Sequence, residues 1–270
     1  MRSARPASDD SLGPNAIIRR PPEDSSFGGW RPRRRIAATA TSEVFLLENS
    51  QGCRAVGKRL LPPLGSLGSG LIDNEYVALR RFADPAVVRV LDLAQHESES
   101  WLLLEHLRYG DLRSLAGASP ARWLPLLLPP VRWLAGLHAA GFIYGDVKTS
   151  HLMLRHPSHA CFIDLATVTR RGRPLVTQTA AASPPEGVAD AGPTTDVFAF
   201  GVMLHELLFA RLPGGSGEWT NANLHACPQL VNLSVACRLP SPTDRPTMAT
   251  VLRQLGELTE RMNAAGAALP

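Results

Sequence analysis

Residues 71–82 read as a helix whose buried face carries a carboxylate, and that feature restricts what can surround it. Ile72, Tyr76 and Leu79 follow the i, i+4, i+7 spacing of an apolar stripe, and Glu75 falls on the same stripe. An ionised carboxylate turned into a core is costly unless a cation meets it there. The fold must therefore bring a basic group to this helix from elsewhere in the chain.

The supply of such groups is lopsided. Of 28 basic residues only two are lysines, Lys58 and Lys148. A compact, flexible ammonium acts as a point charge where a broad planar guanidinium does not fit, so a lysine in an arginine-rich chain asks for a reason. Lys58 ends a β-type run, Ala55-Val56-Gly57-Lys58. Lys148 stands two residues after an aspartate, in Tyr144-Gly145-Asp146-Val147-Lys148.

Two pairs of β-type runs flank the helix. Residues 43–48 and 54–61 are joined by Asn49-Ser50-Gln51-Gly52, a hairpin turn, and residues 86–93 and 101–106 enclose the polar turn 95–100. After Gly110 longer helical stretches take over, with short strands at 142–144, 151–154 and 161–164. Thr194-Thr195-Asp196 reads as the cap of an apolar helix over 197–209. A last helix over 247–262 places Val251, Leu252, Leu255 and Leu258 on one side. No internal repeat is present. The expected class is α+β in two lobes, a small β-rich one over about 35–107 and a mainly helical one over about 108–262, followed by a short tail, 263–270.

Composition narrows the class further. With 44% hydrophobic and 19% charged residues the chain suits a globular enzyme rather than a disordered protein or a coiled coil. The longest apolar run, 123–137, is broken by Pro125, Pro129, Pro130 and Arg132 and is too short to span a bilayer. The first residues contain no apolar h-region, so no secretory signal is expected. Cys53, Cys161, Cys227 and Cys237 form no CxxC pair and read as free thiols of a soluble, cytoplasmic protein. Residues 1–35 hold eight arginines against Asp9, Asp10, Glu23 and Asp24, which accounts for the whole net charge of +4. The stretch 1–34 is expected to be a disordered basic tail, either a solvated linker or a grip for an acidic partner through 31–35. A neutral body argues against a general nucleic-acid role.

Taken in order, these motifs resemble those of the eukaryotic-type protein kinases over roughly residues 35–260. The resemblance implies that Lys58 is the strand lysine of the VAIK-type motif and Glu75 its helix partner, which answers the question of the buried carboxylate. Leu104-Glu105-His106-Leu107 is similar to the hinge, whose backbone at Glu105 and Leu107 holds adenine, and Asp111 stands at the ribose position. Val44 and Ala55 complete the implied nucleotide-binding set. Tyr144-Gly145-Asp146 stands for the HRD triplet, with Asp146 as the base and Lys148 steadying the γ-phosphate. Asp164, in Asp164-Leu165-Ala166, matches the metal-holding aspartate. Ser183-Pro184-Pro185-Glu186 resembles the end of the activation segment, Arg245 its arginine partner, and Asp196 the aspartate beneath the catalytic loop. The implied activity is transfer of phosphate from ATP, with Mg2+ or Mn2+, to serine or threonine hydroxyls of a protein. The alternatives are a nucleotide-binding pseudokinase scaffold and, against the evidence of Asp196 and the Arg245–Glu186 pair, a small-molecule kinase.

Four departures accompany the resemblance. Ala37-Ala38-Thr39-Ala40-Thr41-Ser42 replaces the glycine-rich loop, losing its backbone freedom. Gly145 takes the place of the HRD arginine, so control by activation-segment phosphorylation is not expected. His151 takes the place of the asparagine that holds a second metal; it either ligates a divalent ion or hydrogen-bonds within the loop. Pro129 and Pro130 predict a kinked or late-starting helix before the catalytic loop.

Overall fold

The computed structural model describes residues 28–39, 42–61, 65–96, 99–175, 182–187, 189, 191–213 and 227–267, with side chains omitted at 65–71 and 265–267. Residues 1–27 of the expected tail, Ala40 and Thr41 of the expected phosphate loop, and residues 268–270 lie outside this set.

Period-two alternation builds the first lobe. Strands β1 (Trp30–Ala38), β2 (Ser42–Asn49), β3 (Arg54–Leu60), β4 (Val90–His96) and β5 (Glu99–Glu105) form one antiparallel sheet in the order β1-β2-β3-β5-β4. One face of the sheet packs Phe45, Leu47, Ala55, Trp101 and Leu103 into a small cluster. The opposite face sends Val56, Leu102 and Leu104 into the main core, where helix α1 (Gly65–Arg81) contributes Ile72 and Leu79. At the β2–β3 turn Asn49 Oδ1 accepts the amides of Gln51 (3.0 Å) and Cys53 (2.9 Å), as the hairpin motif predicts.

Three boundaries differ from expectation. The tail ends earlier than residue 34, because Trp30–Ala38 is an edge strand. Its basic residues are matched from β2, Arg33 by Glu48 at 2.8 Å and Arg35 by Glu43 at 2.6 Å, and Trp30 packs on the small cluster. Those two arginines of 31–35 thus answer carboxylates of the same sheet rather than standing in a disordered tail. Pro32, which donates no hydrogen bond, sits at a register shift on this edge strand. Residues 86–88 do not join β4; Val88 N–H donates to the Phe162 carbonyl and Phe162 N–H to that of Ala86, each at 2.8 Å. Helix α1 begins at Gly65, ahead of 71, in a glycine-rich stretch of low helix propensity.

The second lobe contains α2 (Pro120–Ala139), β6 (Phe142–Ile143), β7 (Leu152–His156), β8 (His159–Phe162), β9 (Thr169–Arg170), α3 (Pro193–Phe209), α4 (Pro228–Cys237) and α5 (Met248–Ala267). Helix α2 does not start late; it begins at Pro120, where a missing N–H costs nothing, and runs through Pro125, Pro129 and Pro130. Thr194–Asp196 is not the cap of α3 but its first turn: Gly192 is the N-cap, and its N–H donates to Thr195 Oγ1 at 3.0 Å. Helix α4 escaped the sequence reading. It packs on Gly201 of α3 so closely that an added Cβ there would lie 2.7 Å from Cys237 Cβ, and Ser234 donates to the Gly201 carbonyl at 2.9 Å.

All four cysteines are free, and burial pushes the Cys161 thiol up to about 11 and the Cys237 thiol up to about 12. Among the described residues no helix is long and apolar enough to cross a membrane.

His205, on α3, is buried against Phe209 with ring centroids 4.7 Å apart. Burial, and then Arg238 and Arg211, depress its pKa from 6.5 to about 4. The folded protein therefore holds fewer protons here than the unfolded chain between these values, so stability from this site is full above pH 6.5 and drains as pH falls towards 4. Urea denaturation of the wild type against His205→Gln should show the wild type losing about 2–3 kcal/mol more between pH 7 and pH 4. Parallel losses in the two proteins would count against it.

Candidate active site

The cation demanded by Glu75 arrives from β3. Strand alternation turns Lys58 to the same side as Val56, and its Nζ lies 2.8 Å from Glu75 Oε2 and 3.1 Å from Asp164 Oδ1. Burial alone would lower the ammonium's pKa, but Glu75 and Asp164 outweigh it and hold Lys58 charged well above its ordinary value. Burial pushes the Glu75 carboxyl up, with Lys58 pulling against it. For Asp164 the balance reverses: burial raises its pKa, while the Lys58 ammonium, by charge and by hydrogen bond, more than compensates and keeps it ionised.

Asp164 occupies the left-handed region at φ 60°, uncommon for a residue with a Cβ. Such strain concentrates where the surroundings fix a side chain for use. It turns the Asp164 carboxylate, which is partly open to solvent, towards Lys58.

The catalytic-loop equivalent is suspended from beneath. Asp196, fully buried, accepts the Gly145 N–H on Oδ1 and the Tyr144 N–H on Oδ2, both at 2.7 Å, and Oδ2 lies 2.8 Å from His138 Nε2. From above, the Thr167 hydroxyl donates to the Tyr144 carbonyl at 2.7 Å. Asp146, the next residue along, receives Lys148 Nζ on Oδ2 at 2.7 Å.

His151 Nδ1 lies 3.4 Å from Asp146 Oδ2 and 3.3 Å from the Tyr144 hydroxyl. Tyr144 donates its own proton to the Ile163 carbonyl at 2.5 Å, and an ionised carboxylate only accepts. Both neighbours of Nδ1 are thus acceptors, which puts the ring proton on Nδ1 and the lone pair on Nε2. Burial depresses the imidazole's pKa to about 4, so the ring is neutral near pH 7. Nδ1 is thus engaged within the loop, as one of the two sequence readings of His151 has it.

At the hinge, the Glu105 N–H donates to the Arg89 carbonyl at 3.0 Å, and its carboxylate accepts the Arg89 N–H at 2.7 Å and pairs with Arg155 at 2.5 Å. Arg155 also donates to the Val87 carbonyl at 2.8 Å. Leu107 is buried beyond the strand end, and Asp111 precedes a short helical turn, bridging Met153 through its backbone. Val44 pairs with Lys58 and shares its face.

Ala55 does not stand with Lys58. It pairs with Leu47 and belongs to the small cluster on the far face, away from Lys58. Val56 stands on the lysine's face instead; counting back by two from Lys58 would have found it. Two further groups were missed. Thr149 donates to Glu206 Oε2 at 2.5 Å and Arg113 pairs with Glu206 at 3.5 Å, and a carboxylate inside the apolar run 197–209 was the same signal as Glu75. Leu175, buried against Ile143 and Ala191, left no signal because a leucine in a loop is ordinary.

The expected pair at the end of the activation segment is in place, Arg245 meeting Glu186 through two nitrogens at 2.6 and 2.8 Å. The family model for the protein kinase domain matches residues 41–263. Serine/threonine-protein kinase PknL of Mycobacterium tuberculosis is 31% identical over 150 residues, 50% of this chain and 37% of that protein. RasGEF domain-containing serine/threonine-protein kinase X of Dictyostelium discoideum is 25% identical over 224 residues, 73% of this chain and 23% of that protein. Serine/threonine-protein kinase GIN4 of Saccharomyces cerevisiae is 25% identical over 222 residues, 71% of this chain and 19% of that protein. The chain thus spans well under half the length of these relatives. A match over more than four-fifths of its residues, on a two-lobed fold with the lysine–glutamate pair closed, makes this chain a member of the protein kinase family.

Proposed function

We propose that this chain transfers the γ-phosphoryl group of ATP to a serine or threonine hydroxyl of a protein, and works in the cytoplasm. The observation that carries the reading is the closed set of charges, with Lys58 held between Glu75 and Asp164 and Lys148 beside Asp146. Phosphoryl transfer needs positioning and charge stabilisation more than covalent chemistry. Lys58 is placed to hold the α- and β-phosphates. Asp146 orients the acceptor hydroxyl and takes its proton, and Lys148 moves from Asp146 towards the negative charge on the transferred group. The Glu105 amide being taken by Arg89, adenine is left its carbonyl and the backbone of Leu107, with Val44 and Val56 against the ring.

Among the described residues no group of three or more carboxylate, imidazole or thiolate side chains could hold an ion unaided. The partly exposed Asp164 still fits a divalent ion, because Mg2+ is commonly held by one or two carboxylates together with substrate phosphates. Bound there, such an ion neutralises phosphate charge. His151, with its proton on Nδ1, offers the Nε2 lone pair as a second ligand. In the complex with Mn2+ and ADP, pulsed electron spin resonance should then show a nitrogen coupling in the wild type that disappears in His151→Asn. Identical spectra would confine His151 to its hydrogen bonds.

The test of function is transfer of labelled phosphate from ATP to the protein itself and to a generic basic protein, with Mg2+ and with Mn2+. Lys58→Met is expected to cut transfer about 100-fold or more. Nucleotide binding with no transfer by the wild type under either metal would overturn the reading and leave a nucleotide-binding scaffold.

A further inference from the structure

The side chain absent at residue 145 leaves a space, and Leu175 fills it. Gly145 adopts φ 87°, and a Cβ built there would lie 2.6 Å from Leu175 Cδ2, 3.3 Å from the Thr167 carbonyl oxygen and 3.4 Å from Thr167 Cβ. No side chain fits at 145 while Leu175 stays where it is. The chain reaches this position by a short excursion. Strand β9 pairs with β6, Ile143 opposite Thr169 and Phe142 opposite Arg170; the backbone turns at Gly172 and returns Leu175 to the catalytic loop. There Leu175 is buried with Ile143 and Ala191, a three-residue cluster separate from the main core.

We propose that Leu175 is a positioning residue, an apolar clasp that presses the segment after Asp164 onto Gly145 and so fixes Asp146 in its working orientation without a phosphate group. The loop backbone is then held on three sides: Asp196 binds the Tyr144 and Gly145 amides from below, Thr167 binds the Tyr144 carbonyl, and Leu175 covers the Gly145 Cα. Asp146 follows this clamped pair directly. Because the clasp is apolar, it needs no modifying enzyme and does not weaken with salt. It also makes positions 145 and 175 a matched pair. An arginine introduced at 145 would have to expel Leu175 before it could act on anything.

This inference rests on the phosphotransfer reading, and two readouts separate them. The first is steady-state kinetics of Leu175→Ala and Leu175→Met on the full chain, with phosphatase-treated wild type as reference. Leu175→Ala is expected to lower kcat by about 10- to 100-fold with the KM for ATP within about twofold, since displacement of a reacting group costs turnover rather than ground-state binding. Leu175→Met, which refills the space, should recover most of kcat, and phosphatase treatment should leave wild-type activity intact. The second is amide hydrogen exchange over residues 167–175, expected to quicken in Leu175→Ala while helix α5 keeps its protection, which rules out general unfolding. Unchanged kcat in Leu175→Ala, or wild-type activity lost to phosphatase, would overturn the clasp. Should the wild type transfer no phosphate at all, the functional reading fails by itself, and unaltered exchange in Leu175→Ala would then dispose of the clasp separately.

Discussion

Asp146→Asn is expected to lower phosphoryl transfer by about 10^2- to 10^4-fold, the range for a positioned general base, while ATP affinity stays within about threefold. The asparagine keeps the shape and gives up the charge. Lys148, 2.7 Å from Asp146 Oδ2, loses an ionic partner and becomes freer to follow phosphate, so ground-state binding has no reason to fall. Single-turnover transfer beside equilibrium nucleotide titration separates the two quantities. A drop confined to ATP affinity, with turnover kept, would mean that Asp146 serves the nucleotide and not the acceptor hydroxyl.

The second large effect is on stability. Asp196→Ala removes an acceptor that receives two backbone amides and the His138 ring from a fully buried position. The abandoned N–H groups have no water to turn to, and removing one partner from a buried charged network costs about 3–5 kcal/mol. Asp196→Asn should fall between, because its amide group brings a donor to where two donors already point. Urea denaturation measures both. A loss below about 1 kcal/mol for the alanine variant would show that the catalytic loop holds its shape without this anchor. Catalysis would suffer with stability, since the same two amides fix the backbone that leads into Asp146.

These residues also show which parts of the protein can be read from its sequence. Glu75 was legible because a carboxylate on an apolar helix face is an unpaid electrostatic demand, and the scarcity of lysine pointed to where it is met. Asp196 and the Arg245–Glu186 pair followed from ordered motifs. The errors arose where local signals are weak. Strand β1 gathers Arg31, Pro32, Arg33, Arg34 and Arg35 in a row, so it does not look like a strand until Glu43 and Glu48 supply the charges opposite. Ala55, three residues before Lys58, falls on the opposite face of the strand, where the period of two puts every odd step. Helix α4 is short, and Gly201, the residue that lets it approach α3, lies in a different element. The Leu175–Gly145 contact joins positions thirty residues apart, one of which has no side chain.

The two lysines have a consequence beyond phosphate. Both are paired with carboxylates, their side chains only 13% and 27% exposed, and the sequence contains no others. The outer surface of this chain therefore presents no ε-amine for acylation, for isopeptide attachment of a degradation tag, or for amine-directed crosslinking. Reagents that seek the ε-amine report on Lys58 and Lys148, and under the proposed function ATP should protect both from them. Within these 270 residues, a system that marks proteins through lysine side chains finds targets only at Lys58 and Lys148.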